Sequence, residues 1–209
     1  MRVAILGGTG SFGHALARRL AALGEDEVVI GSRDAARAQE AAQALGAGVT
    51  GASNEDAVRG ADIAVLAVKA DAALDTARGI AAALGSTPLL SVASAIQFQK
   101  GVGAFPDPEA LSLAERVQEV VQGPVTAGLH SIAASNLDEA PPEEDALICG
   151  DDPDAKELTL QLVGKLVAGR ALDAGPLASA RALEGLTAVI VNLNRRYNAH
   201  AGVRITGLE

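Results

Sequence analysis

Apolar residues in this chain come in short runs bounded by glycine and polar clusters, and these runs alternate with stretches of helical period. Val3, Ala4, Ile5 and Leu6 form an unbroken apolar run, so Arg2–Leu6 reads as a strand. Ala15, Leu16, Leu20 and Leu23 then recur at helical spacing before Gly24, predicting a helix over Ser11–Leu23 that a glycine closes. The alternation continues with a strand over 27–30, a helix over Ala35–Leu45 and a short strand near Val49. Ser53, Asn54, Glu55 and Asp56 open the next helix in a capping-box-like order. Residues 62–68 are almost continuously apolar, as a strand covered by helices on both faces must be. An alanine-rich helix over 71–84 and a strand over 88–92 follow. Strand and helix succeeding one another in this way require parallel pairing with right-handed crossovers.

After Val92 the rhythm changes. Residues 93–108 contain Lys100, Gly101, Val102, Gly103 and two prolines, and are expected to form a long functional loop. A helix over 108–122 and a strand over 124–129, ending at His130, come next. The polar, acidic stretch 131–145, with Pro141 and Pro142, reads as an exposed connection. A strand over 146–149, a helix over 153–167 capped by Asp152 and a short strand over 170–173 complete the pattern before Gly175 and Pro176. A long final helix runs from about Leu177 to Asn198, with Pro176 suited to its first turn. It carries Leu183, Leu186, Val189, Ile190 and Leu193 on one face. That face either buries against the protein's own sheet or packs on its twin in a dimer.

The junction of the first strand and helix carries the chemistry. Gly8, Gly10 and Gly13 form a G-x-G-x-x-G between an apolar strand and a helix, the context in which this spacing holds a dinucleotide pyrophosphate. Gly8 is expected to make the tight turn, Gly10 to clear space for the phosphates and Gly13 to let the helix pack close to the strand. The helix's free N–H groups and positive dipole end then meet the negative charge. The end of the second strand selects the dinucleotide. An NAD site places Asp or Glu there for the ribose 2′-hydroxyl. This chain has Gly31, Ser32 and Arg33, with Arg37 one turn further on. A guanidinium fork and a serine hydroxyl suit a 2′-phosphate, so NADP(H) is the expected cofactor. Asp34 would reach a ribose only after a shift in register, and Arg33 and Arg37 also suit a solvated helix start.

The expected fold is therefore α/β: a Rossmann-type doubly wound, mainly parallel sheet, with a small C-terminal α/β segment ending in a long helix. Residues 1–128 would form the NADP-binding domain, and 129–209 would close the cleft and carry the dimer contact. Hydrophobic residues make up 49% of the 209-residue chain but aromatics only 2%, so the core must be built from Ala, Val, Leu and Ile. No apolar run suits a membrane span and no cleaved-signal pattern stands at the N-terminus, so a cytoplasmic protein with no membrane partner is expected. A net charge of −9 argues against nucleic-acid binding. Cys149 is the sole cysteine and lies in an apolar run, which excludes an internal disulfide and a multi-cysteine metal site and reads as a buried strand residue. No catalytic triad, metal cluster or acid–base pair stands out, so neither a metal nor an acid–base catalytic residue is expected. His14 and His200 read as structural or solvated.

The combination of Gly7-Gly8-Thr9-Gly10, Val29 to Arg33, Gly128-Leu129-His130-Ser131, Cys149 to Asp152, and Leu172-Asp173-Ala174-Gly175-Pro176-Leu177 resembles the NADPH-dependent F420 reductases across almost the whole chain. The resemblance implies hydride exchange between NADP(H) and the deazaflavin coenzyme F420. It implies that Gly8, Thr9, Gly10, Ser11, Phe12 and Gly13 hold the pyrophosphate, and that Thr9, Ser32, Arg33 and Arg37 hold the 2′-phosphate side. Val68 and Ala93 would approach the nicotinamide, and His130 and Ile132 would line the deazaflavin side. The chain departs from the family's pattern at Lys69-Ala70-Asp71, at Ala93-Ser94-Ala95-Ile96 and at Ser131-Ile132-Ala133, all on the second-substrate side. Reduction of another small imine or carbonyl compound, and non-catalytic NADPH binding, are the alternatives those departures leave open.

Overall fold

The structure, a computed structural model, describes residues 1–46 and 48–208. The first half follows the sequence pattern closely. β1 (Arg2–Leu6), α1 (Ser11–Leu23), β2 (Glu27–Ser32), α2 (Ala35–Leu45) and β3 (Val49–Ser53) lead to α3 (Asn54–Val58), β4 (Ile63–Leu66), α4 (Ala70–Leu84) and β5 (Leu89–Ser91). The second half adds β6 (Ile96–Gln99), β7 (Gly103–Pro106), α5 (Leu113–Gln118), β8 (Val125–Gly128) and α6 (Ala134–Glu139). β9 (Ala146–Gly150), α7 (Pro153–Gly164), β10 (Ala171–Asp173), a 3-10 turn over Leu177–Ser179 and α8 (Ala180–Tyr197) end the chain.

Eight strands form one sheet in the order β10-β9-β8-β5-β4-β1-β2-β3. All neighbouring pairs are parallel except β8 with β9. Period-two alternation divides the core into two layers. Ala4 and Leu6 of β1 face α3, α4, α5 and the start of α8, whereas Val3 and Ile5 face α1, α2, α6 and α7. Because β1 is buried on both faces, its run is unbroken rather than alternating. Among the described residues, no helix is long and apolar enough to cross a membrane.

Four sequence expectations are corrected. Residues 93–108 are not an irregular loop: β6 and β7 pair as an antiparallel hairpin, and Asn192 of α8 bonds both the N–H and the C=O of Ala104. The stretch 131–145 is not a plain exposed connection. It contains α6, and Ser131, Ile132, Leu137 and Asp145 are buried. The helix expected over 108–122 shortens to Leu113–Gln118, because Ser112 and Glu115 close a reciprocal capping box that fixes its start. Pro176 precedes a 3-10 turn rather than the first turn of α8.

Buried charge ties the second half to the sheet. Glu184 of α8, 4% exposed, accepts from the Leu113 and Ala114 N–H groups at the start of α5 and from Ala95 N–H. Burial raises its pKa even against those three amides. Asp145 is 1% exposed and accepts from Arg170 N, Nε and Nη2 and from Ile205 N. The Arg170 guanidinium, with these amides, holds the Asp145 carboxyl well below the usual carboxylate range. Its contribution to stability is therefore complete above the ordinary carboxylate pKa and declines as pH falls below it. Asp145→Asn should lower the unfolding free energy near neutrality, because a neutral amide replaces the carboxylate that Arg170 and the Ile205 amide bond. Urea unfolding of both proteins checks this, and the difference should narrow as pH is lowered beneath about 4.

Candidate functional site

The chain runs from β1 outward to β2 and β3, then returns to β4 on the other side of β1. This reversal leaves a crevice beyond the carboxyl ends of β1 and β4, where open α/β sheets bind ligands. The glycine turn lies there. Gly7 has φ +84° and donates its N–H to Gly31 O at 3.1 Å, so the left-handed residue of the turn is Gly7 and not Gly8 as expected. Gly8 is required for another reason: a Cβ there would lie 2.6 Å from Ile30 Cγ2 of β2. A Cβ on Gly13 would lie 2.6 Å from Gly7 O, which is the close helix approach the spacing predicts. Gly10 is exposed and a Cβ on it would meet only Gly7 O, at 3.3 Å. Its position therefore opens backbone to the crevice.

Gly10 is also the N-cap of α1, so no side chain caps that helix and no acidic residue stands in its first turn. Asp34, Ser53, Ser112 and Asp152 cap α2, α3, α5 and α7 with their side chains. The first-turn N–H groups at Ser11, Phe12 and Gly13 are thus left for an anion. Phe12 turns its ring into the apolar layer beside α1, and Thr9 is half-buried.

At the end of β2, Asp34 accepts from Ala36 N–H and Arg37 N–H as the cap of α2. Its carboxylate is committed to the helix, which disposes of the register shift that would bring it to a ribose. Ser32 is half-buried, and its Oγ accepts from Asp34 N–H at 3.2 Å. Arg33 and Arg37 are exposed, with no hydrogen-bond or ion-pair partner among the described residues. The donors present fit a phosphorylated ribose better than a free diol.

Val68, after β4, sits against the turn: a Cβ on Gly7 would come within 2.8 Å of its Cγ1. Ala93, after β5, is buried at 6% exposure, and Val92 N–H bonds Leu66 O. Lys69 is exposed at the N-cap of α4 without a capping bond. Leu129, directly before His130, has φ +63°, a left-handed conformation that costs a leucine about 1–3 kcal/mol. His130 is 7% exposed, and burial pushes its imidazole down to about 4. Ile132 is buried in the layer shared with α1, α6 and α7, so it can offer a ligand only a small edge.

Sequence reasoning missed the partners of His130. Ser94 Oγ lies 2.9 Å from His130 Nδ1 and 2.8 Å from Thr187 Oγ1. Thr187 donates to His130 O at 2.9 Å. These residues are far apart in sequence and neither belongs to a local motif, so only the fold reveals them. Cys149 is fully buried in β9 and burial pushes its thiol up to about 12, which leaves it inert.

The family described as "NADP oxidoreductase coenzyme F420-dependent" matches residues 2–95, which contain the glycine turn, Arg33, Arg37 and Ala93. The F420-dependent NADP reductase of Methanothermobacter marburgensis is 37% identical over 223 residues, covering 100% of this chain and 99% of its own. That of Methanocaldococcus jannaschii is 31% identical over 226 residues, covering both chains completely. A crystal structure of a putative F420-dependent NADP-reductase from Arthrobacter sp. FB24 superposes with a TM-score of 0.87 at 25% identity, over 99% of this chain and 100% of that one. An imine reductase of Streptomyces aurantiacus, 22% identical with a TM-score of 0.62, shares the fold, and this chain spans 61% of it. The similarity to the reductases covers this chain from the glycine turn through the His130 strand end to the last helix: the chain belongs to the F420-dependent NADP reductase family.

Proposed function

We propose that the protein transfers a hydride between NADP(H) and the deazaflavin coenzyme F420. The observation that carries this reading is the full-length similarity to F420-dependent NADP reductases. When bound, the two coenzymes supply both the hydride and its acceptor. The chain's own residues then have to bind, orient and keep water away, since proximity and alignment are what such a transfer needs. In this reading, residues 1–128 are the NADP-binding domain and 129–209 close the cleft. The amides of Ser11, Phe12 and Gly13 take the diphosphate beside Gly8 and Gly10, while Thr9, Ser32, Arg33 and Arg37 take the 2′-phosphate. Val68 and Ala93 flank the nicotinamide, and His130 and Ile132 bound the deazaflavin. The protein works in the cytoplasm with these small coenzymes.

A homodimer through the last helix completes the proposal. Val189 and Leu193 of α8 are 53% and 41% exposed, and Phe98 and Val102 of the hairpin are 58% and 66% exposed. Together they line an open groove of about 920 Å³. Leu183 and Ile190 are buried, so the apolar stripe divides between the protein's own core and its surface. An exposed patch of this kind marks a protein contact.

Purified protein with NADPH should bleach the absorbance of oxidised F420, and a panel of imines and carbonyls should give no turnover. The reverse result would remove the F420 assignment. Arg33→Ala should weaken NADPH binding by about 1.5–3 kcal/mol with little effect on NADH, the scale of a lost charge-assisted hydrogen bond. Fluorescence titration with both nucleotides measures this, and an equal loss for both would reject the 2′-phosphate contact. Gly10→Val should keep the wild-type circular dichroism spectrum and lose NADPH binding, since position 10 opens onto the crevice. Val189→Glu should shift the protein from dimer to monomer in size-exclusion chromatography with light scattering.

A further inference from the structure

The hydrogen bonds around His130 fix which of its ring nitrogens carries the proton. Thr187 Oγ1 lies 2.9 Å from the His130 carbonyl, which can only accept, so the threonine hydroxyl donates there. Having spent its one proton, Thr187 can only accept at its 2.8 Å contact with Ser94 Oγ, so Ser94 donates. Ser94 has then spent its own proton, and at its 2.9 Å contact with His130 Nδ1 it accepts. Nδ1 therefore bears the hydrogen. A neutral imidazole has one N–H, so Nε2 is left as a bare lone pair. The opposite tautomer would set two lone pairs against each other at one link of this chain.

Nε2 is buried and has no hydrogen-bond partner among the described residues. A buried acceptor without a partner is costly in a finished structure and is expected where a ligand supplies the missing donor. His130 lies just past the carboxyl end of β8, and the left-handed backbone at Leu129 turns the chain immediately before it.

We propose that Ser94 and Thr187 are positioning residues that hold His130 in the Nδ1–H tautomer, so that Nε2 accepts a hydrogen bond from an N–H or O–H group of the second substrate. The inference rests on the F420 reading for the identity of that substrate, but the proton arrangement stands independently of it. The site thereby favours a ring that presents a donor at this point and disfavours one that presents an acceptor. Burial keeps the imidazole neutral near pH 7, so it acts as a fixed acceptor and not as a proton source.

The test is nitrogen-15 NMR of the imidazoles in the full-length protein at pH 7. There are three histidines, and His14→Gln and His200→Gln variants assign the signals. His130 should show the Nδ1–H pattern. In Ser94→Ala and in Thr187→Val the Nε2–H form should appear, and KM for F420 should rise about five- to tenfold while NADPH affinity stays within about twofold. Thr187→Ser, which keeps the hydroxyl, should restore both the tautomer and KM. Retained NADPH affinity shows that the variants are folded. An Nε2–H or doubly protonated His130 in the wild type overturns the proposal, as does a tautomer shift with KM unchanged. A wild-type protein with the Nδ1–H pattern and no F420 turnover would support the proton arrangement and remove F420 as the substrate.

Discussion

A side chain at position 13 has no room, and this one steric constraint sets the geometry of the crevice. The first turn of α1 approaches the carbonyl of Gly7 so closely that only a glycine fits at the contact. That approach brings the uncapped helix start over the end of β1. Gly7 in turn presses against Ala67 and Val68, which fixes the end of β4 beside the same turn. The two strands that flank the topological reversal are thus locked to the helix whose amides face it. Arg33, Arg37, Val68 and Ala93 inherit their placement from this junction, since each follows a strand hydrogen-bonded into the same parallel sheet.

The nucleotide half was legible in the sequence because its determinants are local. A glycine spacing, an apolar run and a charge pair after a strand each lie within a few residues of one another, and the backbone rules that govern them act over that range. The acceptor half was less legible because its determinants are tertiary. Residues 93–108 have the glycines and prolines of a loop, yet they fold as a hairpin because Asn192 offers an amide side chain to Ala104 from a helix distant in sequence. Residues 131–145 look like solvated connection by composition, but Asp145 is buried because Arg170 and the C-terminal tail converge on it. The tight turn is a subtler case, since spacing alone does not say which of two adjacent glycines takes the positive φ, here Gly7.

The segments after β4, β5 and β8 differ in how far tertiary contacts define them. Lys69 projects from an exposed cap and leaves the end of β4 to Val68. Ser94 occupies the loop after β5, where it meets His130 and Thr187. Ser131 is buried and donates to Asp145 O, joining the His130 turn to the start of β9. Ser94 and Ser131 thus hold their hydroxyls in defined contacts, while His130 Nε2 stays without a partner among the described residues.

The buried carboxylate of Glu184 gives α8 a mechanical character. It grips the first amides of α5 and the strand entry at Ala95, while Asn192, two turns further along the same helix, grips the hairpin at Ala104. Thr187 lies between these two anchor points. The helix is thus bonded to the hairpin and to the short helix behind it, with the His130 carbonyl bonded between those two anchor points. One face of a single helix therefore sets the spacing between the hairpin, the start of α5 and the His130 turn, three segments that no strand pairing joins directly.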